Sequence, residues 1–153
     1  PQKQAMLFEL GNVYLNKNDA KSALTYFQQA YELDKSYPEA ANLYSLLLLI
    51  NNQPAEADKI QTALGQAAYT DDRLATFFKN QKNYALLLKS REAKVSVNPT
   101  DVNSWSNLAE ARWLVGNRSG TIEALNKAAA LNPSVAPQVG EMIKKINAGL
   151  SPF

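Results

Sequence analysis

Two series of small residues recur along this chain at the same intervals. Gly11, Ser45, Ala75 and Ala109 step by 34, 30 and 34 residues, and Ala23, Ala57, Leu87 and Thr121 step identically. Agreement between independent markers makes coincidence a poor explanation. A period in this range signals a solenoid, in which one supersecondary unit is repeated and stacked. Because both series share the short step, the four missing residues lie between Ala57 and Ala75, near Gly65. Four residues are about one helical turn, so the deletion shortens a helix while nearly preserving the direction of its faces.

Each unit reads as two helices joined by a tight turn. In LFELGNVYLNKNDAKSALTYFQQAYELD (7–34), Leu7, Leu10, Gly11 and Tyr14 lie at helical spacing; NKND (16–19) makes the turn, and Ala23, Phe27 and Ala30 form a second helical face. Asp19 is placed to cap that second helix. Pro38 opens the next unit at a first-turn position, where the missing N–H costs nothing. The last unit, NSWSNLAEARWLVGNRSGTIEALNKAAALNP (103–133), repeats the scheme. It carries Trp105, Leu108 and Ala109, a Gly116-Asn117 turn, then Thr121, Leu125 and Ala128 before Pro133. Between them, YSLLLLINN (44–52) sets large aliphatics side by side, far short of the roughly 20 apolar residues of a membrane helix. An inner helix of a stack touches its own partner and both neighbouring units, which explains such a run. Leu47 and Leu48 are expected at inter-helix contacts, with Leu46, Leu49 and Ile50 on or beside a concave wall.

These features resemble the tetratricopeptide repeat. The family's large-Leu-Gly…Tyr first helix and Ala…Phe…Ala second helix, ended by Pro, match residues 4–37 and 102–135. The second unit (about 38–67) keeps Ala57 but has Tyr44-Ser45 where the family favours Leu-Gly. The third (about 68–101) keeps Leu74, Ala75 and Phe78. There the repeat register puts Arg91 and Lys94 where the family buries an aromatic and an alanine, and a one-residue slip puts Ser90 and Ala93 there instead. Residues 136–150, with Val139, Met142, Ile143 and Ile146, read as an amphipathic capping helix. The resemblance implies one all-α domain over 1–153, a right-handed α-α superhelix of about four helix pairs plus that cap.

Catalytic chemistry finds little footing. The chain has no cysteine and no histidine, which removes disulfides, thiolate zinc sites, the commonest general base and the commonest metal ligand. GNRSGT (116–121) lacks the lysine of a phosphate-binding loop and begins at a turn that already needs its glycine. Asp71-Asp72 fall at a helix start, where carboxylates favour the dipole. Asn117-Arg118-Ser119 fits a glycosylation acceptor, but turn chemistry accounts for Asn117. The expectation is a non-enzymatic protein with no cofactor and no metal. A net charge of +2 does not by itself imply nucleic acid.

The resemblance implies a scaffold that binds a protein or peptide in its concave groove. Helical phase proposes the lining: Phe8, Asn12 and Leu15; Asn42, Leu46 and Leu49; Arg73, Thr76 and Lys79; Ser106, Glu110 and Trp113. Asparagine amides can grip a peptide backbone, Arg73 and Lys79 can pair with an acidic partner, and Trp113 is the expected anchor. For Trp113 and Phe8 the competing reading is core packing. A branch of the family clamps a C-terminal carboxylate with lysine and asparagine. Here Asn12 matches one asparagine but Phe8 stands where the first lysine belongs, which disfavours that activity. Two other readings stay open. Residues 6–40 are similar to repeats that follow the membrane region of bacterial O-antigen ligase or polymerase-like proteins, which agrees with a chain that begins at Pro1 without methionine. Alternatively, the stretch 73–94, with six basic residues and one acidic, is a nucleic-acid-facing stripe. The compartment, cytoplasmic or extracytoplasmic, is not encoded.

Overall fold

A computed structural model describes residues 2–153. Those residues form helices and no strand: α1 (Gln2–Asn16), α2 (Ala20–Leu33), α3 (Pro38–Ile50), α4 (Pro54–Leu64), α5 (Asp72–Asn80), α6 (Tyr84–Val97), α7 (Val102–Leu114), α8 (Arg118–Leu131) and α9 (Ala136–Asn147). Short 3₁₀ turns at Gly65–Ala67 and Pro133–Val135 follow α4 and precede α9.

The odd-numbered helices α1 to α7 all end through the same event. Asn18, Asn52, Lys82 and Gly116 have φ of 58°, 58°, 55° and 79°, at the same 34, 30 and 34 steps as the sequence markers. Asparagine and glycine tolerate this left-handed geometry; Lys82 adopts it without either device. The next N–H groups, of Asp19, Gln53, Asn83 and Asn117, donate to the carbonyls of Tyr14, Leu48, Phe78 and Arg112 at 2.8–2.9 Å. Each such bond spans five residues and satisfies a carbonyl the helix end would otherwise leave open. The same residues then start the next helix. The side chains of Asp19, Asn83 and Asn117 accept from the N–H groups of Ser22, Leu86 and Gly120. Gln53 makes no such bond, and Pro54 opens α4 instead.

The chain divides into two compact units, the first running through Phe77 and the second starting at Phe78. In the first, α1 packs on α2, α2 on α3 and α3 on α4; in the second, α6 packs on α7, α7 on α8 and α8 on α9. All eight marker residues are buried. The reason is steric. A Cβ placed on Gly11 would lie 2.8 Å from Cε1 of Phe27, sixteen residues later and fully buried. The same spacing joins Ala109 to Leu125 and Ser45 to Gln61, all buried. Small residues on the first helix thus admit larger ones from the second.

In the aliphatic run Leu47 and Leu48 lie inside as expected, whereas Leu46, expected on or beside a concave wall, is buried with them. Leu43, Leu46, Leu47 and Leu48 are buried, Leu49 is half-buried against Ala41, Leu48, Ala57 and Ile60, and Ile50 at the helix end is exposed. In the third unit the buried residues of α6 are Leu87, Ser90 and Val95, while Arg91 and Lys94 are half-buried. Of the slipped alternative, Ser90 occupies the interior, while Ala93 is half-buried like Lys94.

The four-residue deletion falls on α5. That helix has 9 residues where α3 and α7 have 13, whereas α4 with its 3₁₀ turn matches the full length of α2. A buried polar network occupies the space of the lost turn. Gln61 accepts from the Tyr69 N–H at 2.6 Å and donates through Nε2 to the Ser45 hydroxyl, which donates to the Asn42 carbonyl at 2.8 Å. Asn42 Nδ2 donates to the Ala67 carbonyl at 3.3 Å and to Thr70 Oγ1 at 3.4 Å. Tyr69 takes φ of 64° and its hydroxyl donates to Asp58 Oδ1 at 3.1 Å.

Two outcomes follow for urea unfolding. Gly11→Ala overpacks Phe27 and costs about 1–3 kcal/mol, a loss that exceeds the helix-propensity gain of about 1 kcal/mol. In a Phe27→Leu background, which recreates the Ala109/Leu125 pair, the same change is neutral or stabilising; additive effects would disprove the contact. Gln61→Leu removes the acceptor of the Tyr69 N–H and costs about 1–3 kcal/mol. An unchanged unfolding midpoint would show that the network holds nothing together.

Candidate functional site

The polar side of α7 borders a cleft in the second unit. Asn103, Ser106, Asn107 and Glu110 recur at helical spacing along one face and line a cleft of about 380 Å³. The opposite wall comes from Val135, Val139 and Met142, also at helical spacing, with Gln138 beside them. Leu125 and Val102 contribute to the lining, and Phe153 stands among these residues. One wall therefore offers amides, a hydroxyl and a carboxylate, and the other offers aliphatic and thioether surface. Such a trough suits a segment whose backbone needs hydrogen-bond partners and whose side chains seek apolar cover.

The local sequence explains these positions. Asp101 caps α7, its carboxylate accepting from the Ser104 N–H at 2.9 Å and from the Ser104 hydroxyl at 2.5 Å. These bonds hold the Asp101 carboxyl below its ordinary pKa. The Ser106 hydroxyl donates back to the Val102 carbonyl at 3.0 Å. Glu110 accepts from Lys79 Nζ at 2.7 Å, which ties the end of α5 to the rim of the cleft. Both side chains keep solvent contact, so the pair contributes little to stability.

The twelve residues expected to line a groove divide into three groups. Ser106 and Glu110 border the cleft, and Lys79 reaches it through Glu110. A second group is drawn into packing. Phe8 meets Phe27 and Tyr37 edge-on, each at 5.5 Å between ring centres. Asn42 is only 2% exposed and serves the segment before α5; its Oδ1 is buried with no partner among the described residues. Leu46 is buried, Leu49 packs on its own unit's core, and Trp113 is half-buried against the core of α7, α8 and α9, with the Arg118 guanidinium 5.9 Å from its ring. The third group stays at the surface with local partners. Arg73 is exposed and paired with Asp71 at 2.8 and 3.0 Å, which raises the arginine's pKa. The Thr76 hydroxyl donates to the Asp72 carbonyl at 2.8 Å. Asn12 and Leu15 are half-buried on α1.

Sequence reasoning missed Asn103, Asn107, Gln138 and Phe153. For the first two a signal was present, since they complete the helical stripe that Ser106 and Glu110 begin. For Gln138 and Phe153 there was none, because their place depends on how α9 docks. Among the described residues no group of three or more acidic side chains is gathered as a metal site would need, and no helix is long and apolar enough to cross a membrane.

Comparison with known proteins agrees with this architecture. Residues 5–37 match the family model described as tetratricopeptide repeat. Superkiller protein 3 of Schizosaccharomyces pombe is 27% identical over 135 residues, covering 81% of this chain and 10% of that protein. The chain thus spans about a tenth of the length of this curated relative. The solved structure of MamA from residue 41 to its end, from Desulfovibrio magneticus RS-1, superposes with a TM-score of 0.61 at 20% identity, covering 97% of this chain and 85% of that one. Pseudomonas aeruginosa PilF gives 0.62 at 19% identity, covering 96% and 70%. At these identities the likeness establishes the fold alone. The chain carries a tetratricopeptide repeat at residues 5–37 within an all-α solenoid fold of tetratricopeptide type.

Proposed function

We propose that this protein is a non-enzymatic interaction scaffold that binds an extended peptide or protein segment, and that the α7–α9 cleft is its principal seat. Tetratricopeptide folds serve generally as protein-interaction scaffolds. The observation that carries the reading is the composition of the cleft: a polar stripe, Asn103, Ser106, Asn107 and Glu110, faces an apolar one, Val135, Val139 and Met142. Side-chain amides can donate to and accept from a peptide backbone together, while the apolar wall takes side chains. Trp113, rooted in the adjoining core, stiffens α7 beside the cleft. The first unit contributes Asn12 and Leu15 on α1 as a secondary surface. Reading residues 1–153 as one domain, with repeats at about 4–37, 38–67, 68–101 and 102–135 and a cap after them, belongs to the same proposal.

The relatives named above give an O-antigen ligase or polymerase origin no support. Of the six basic residues in 73–94, Arg73 is bound to Asp71 and Lys79 to Glu110, which leaves a nucleic-acid stripe the weaker reading. Phosphate binding at Arg73 or Lys79 would compete with these pairs.

A peptide-display library panned on the whole chain tests the proposal. Ser106→Trp fills the cleft from an exposed-side position, and enriched peptides should bind that variant at least about tenfold more weakly, a loss typical of an anchoring contact. Trp113→Ala should weaken the same peptides. Peptides that bind Ser106→Trp as well as the parent would remove the cleft from the proposal. Lys79→Ala should change stability by less than about 1 kcal/mol, as measured by urea unfolding, because its pair with Glu110 is open to solvent.

A further inference from the structure

The chain does not simply end after α9; it turns back. Gly149 has φ of 76°, its N–H donates to the Ile146 carbonyl at 3.0 Å, and the Leu150 N–H donates to the Lys145 carbonyl at 2.9 Å. This is the closing arrangement already seen after α1, α3, α5 and α7. Past it, Pro152 is buried, the Ser151 hydroxyl donates to the Phe153 carbonyl at 3.0 Å, and Phe153 stands in the lining of the α7–α9 cleft while 47% exposed. A fraying segment would leave proline in water. Here the reversal, the buried ring and the seated aromatic point the same way. Proline also fixes φ and lowers the entropy lost in holding the segment.

We infer that Ser151–Phe153 is an intramolecular occupant of this cleft, so that a partner segment binds only by displacing it, and that the displacing segment presents an aromatic side chain beside a proline. The inference rests on the peptide-binding reading of the cleft and adds its regulation and ligand chemistry. The segment shows what the site accepts: Phe153, still 47% exposed, lines the cleft together with Val139, Met142 and the amide-bearing Asn103 and Asn107. A tethered segment competes at an effective concentration of about millimolar, so only a ligand that outbids it is admitted. The device therefore filters weak ligands.

The test titrates a fluorescent peptide of sequence GLSPF, residues 149–153, against the whole chain and against Phe153→Ser, with anisotropy as the readout. Loss of the occupant should tighten binding at least about tenfold, given that effective concentration. Pro152→Gly, which loosens the tail without removing the ring, should act in the same direction. Equal affinity for parent and variants, or binding to none of them, overturns the inference. A second measurement is independent of any ligand: a nuclear Overhauser contact between the Phe153 ring and the Met142 methyl in the free chain, lost at saturating peptide. Its absence overturns the occupant even if Ser106→Trp still blocks library peptides, in which case the binding reading stands alone. Loss of both results removes the cleft as a binding site.

Discussion

The fold depends on one recurring contact, a small side chain on a first helix facing a larger one sixteen residues later on its partner. Gly11 admits the Phe27 ring so closely that a single methyl group would collide with it. Ala109 stands opposite Leu125, and Ser45 opposite Gln61, which donates to its hydroxyl. This complementarity recurs in the first, second and last helix pairs. The turns enforce it, because a left-handed residue and a bond spanning five residues fix where each first helix stops and the second begins. Local turn chemistry and long-range packing thus select the same register, the consistency expected of a sequence that specifies one fold.

The second helix pair shows how the scheme tolerates a departure. Losing one turn from the start of α5 leaves the chain between α4 and α5 without helical bonds for its backbone. Gln61 and Asn42 supply them from side chains, Ser45 holds Gln61 in place, and Tyr69 accepts a left-handed conformation to close the segment. At the large position this pair carries Gln61, which accepts from the Tyr69 N–H in the shortened connection. Its consequence for function is local: Asn42, a candidate for gripping a ligand, is instead committed to the fold.

Much of this architecture was legible because it is written in short-range residues. The 34, 30, 34 steps, the NKND and Gly116-Asn117 turns and the aliphatic interior of α3 each follow from spacing alone. The deletion could be bracketed between Ala57 and Ala75, but choosing α5 over α4 required the observed helix lengths, which no periodicity reveals. Register in α6 was ambiguous for a related reason, since Ser90 and the long stems of Arg91 and Lys94 compete for the same interior. The site was legible only in part. Ser106 and Glu110 follow from the phase of α7, whereas Phe8 was captured by Tyr37, Arg73 by Asp71, and Phe153 reaches the cleft only because Gly149 reverses the chain.

The α7–α9 trough joins these threads. Its polar wall is a helix face set by the Asp101 cap, and its apolar wall comes from α9 and the turn before it. The claim beneath all of this is that one closing event recurs at Asp19, Gln53, Asn83 and Asn117. Native-state hydrogen exchange of those four backbone amides measures it directly. The account predicts that all four are protected well beyond the flanking turn amides, each being held by a carbonyl five residues earlier. Exchange at the rate of open loops at Asp19 and Asn117, or protection at only one of the four, would contradict it.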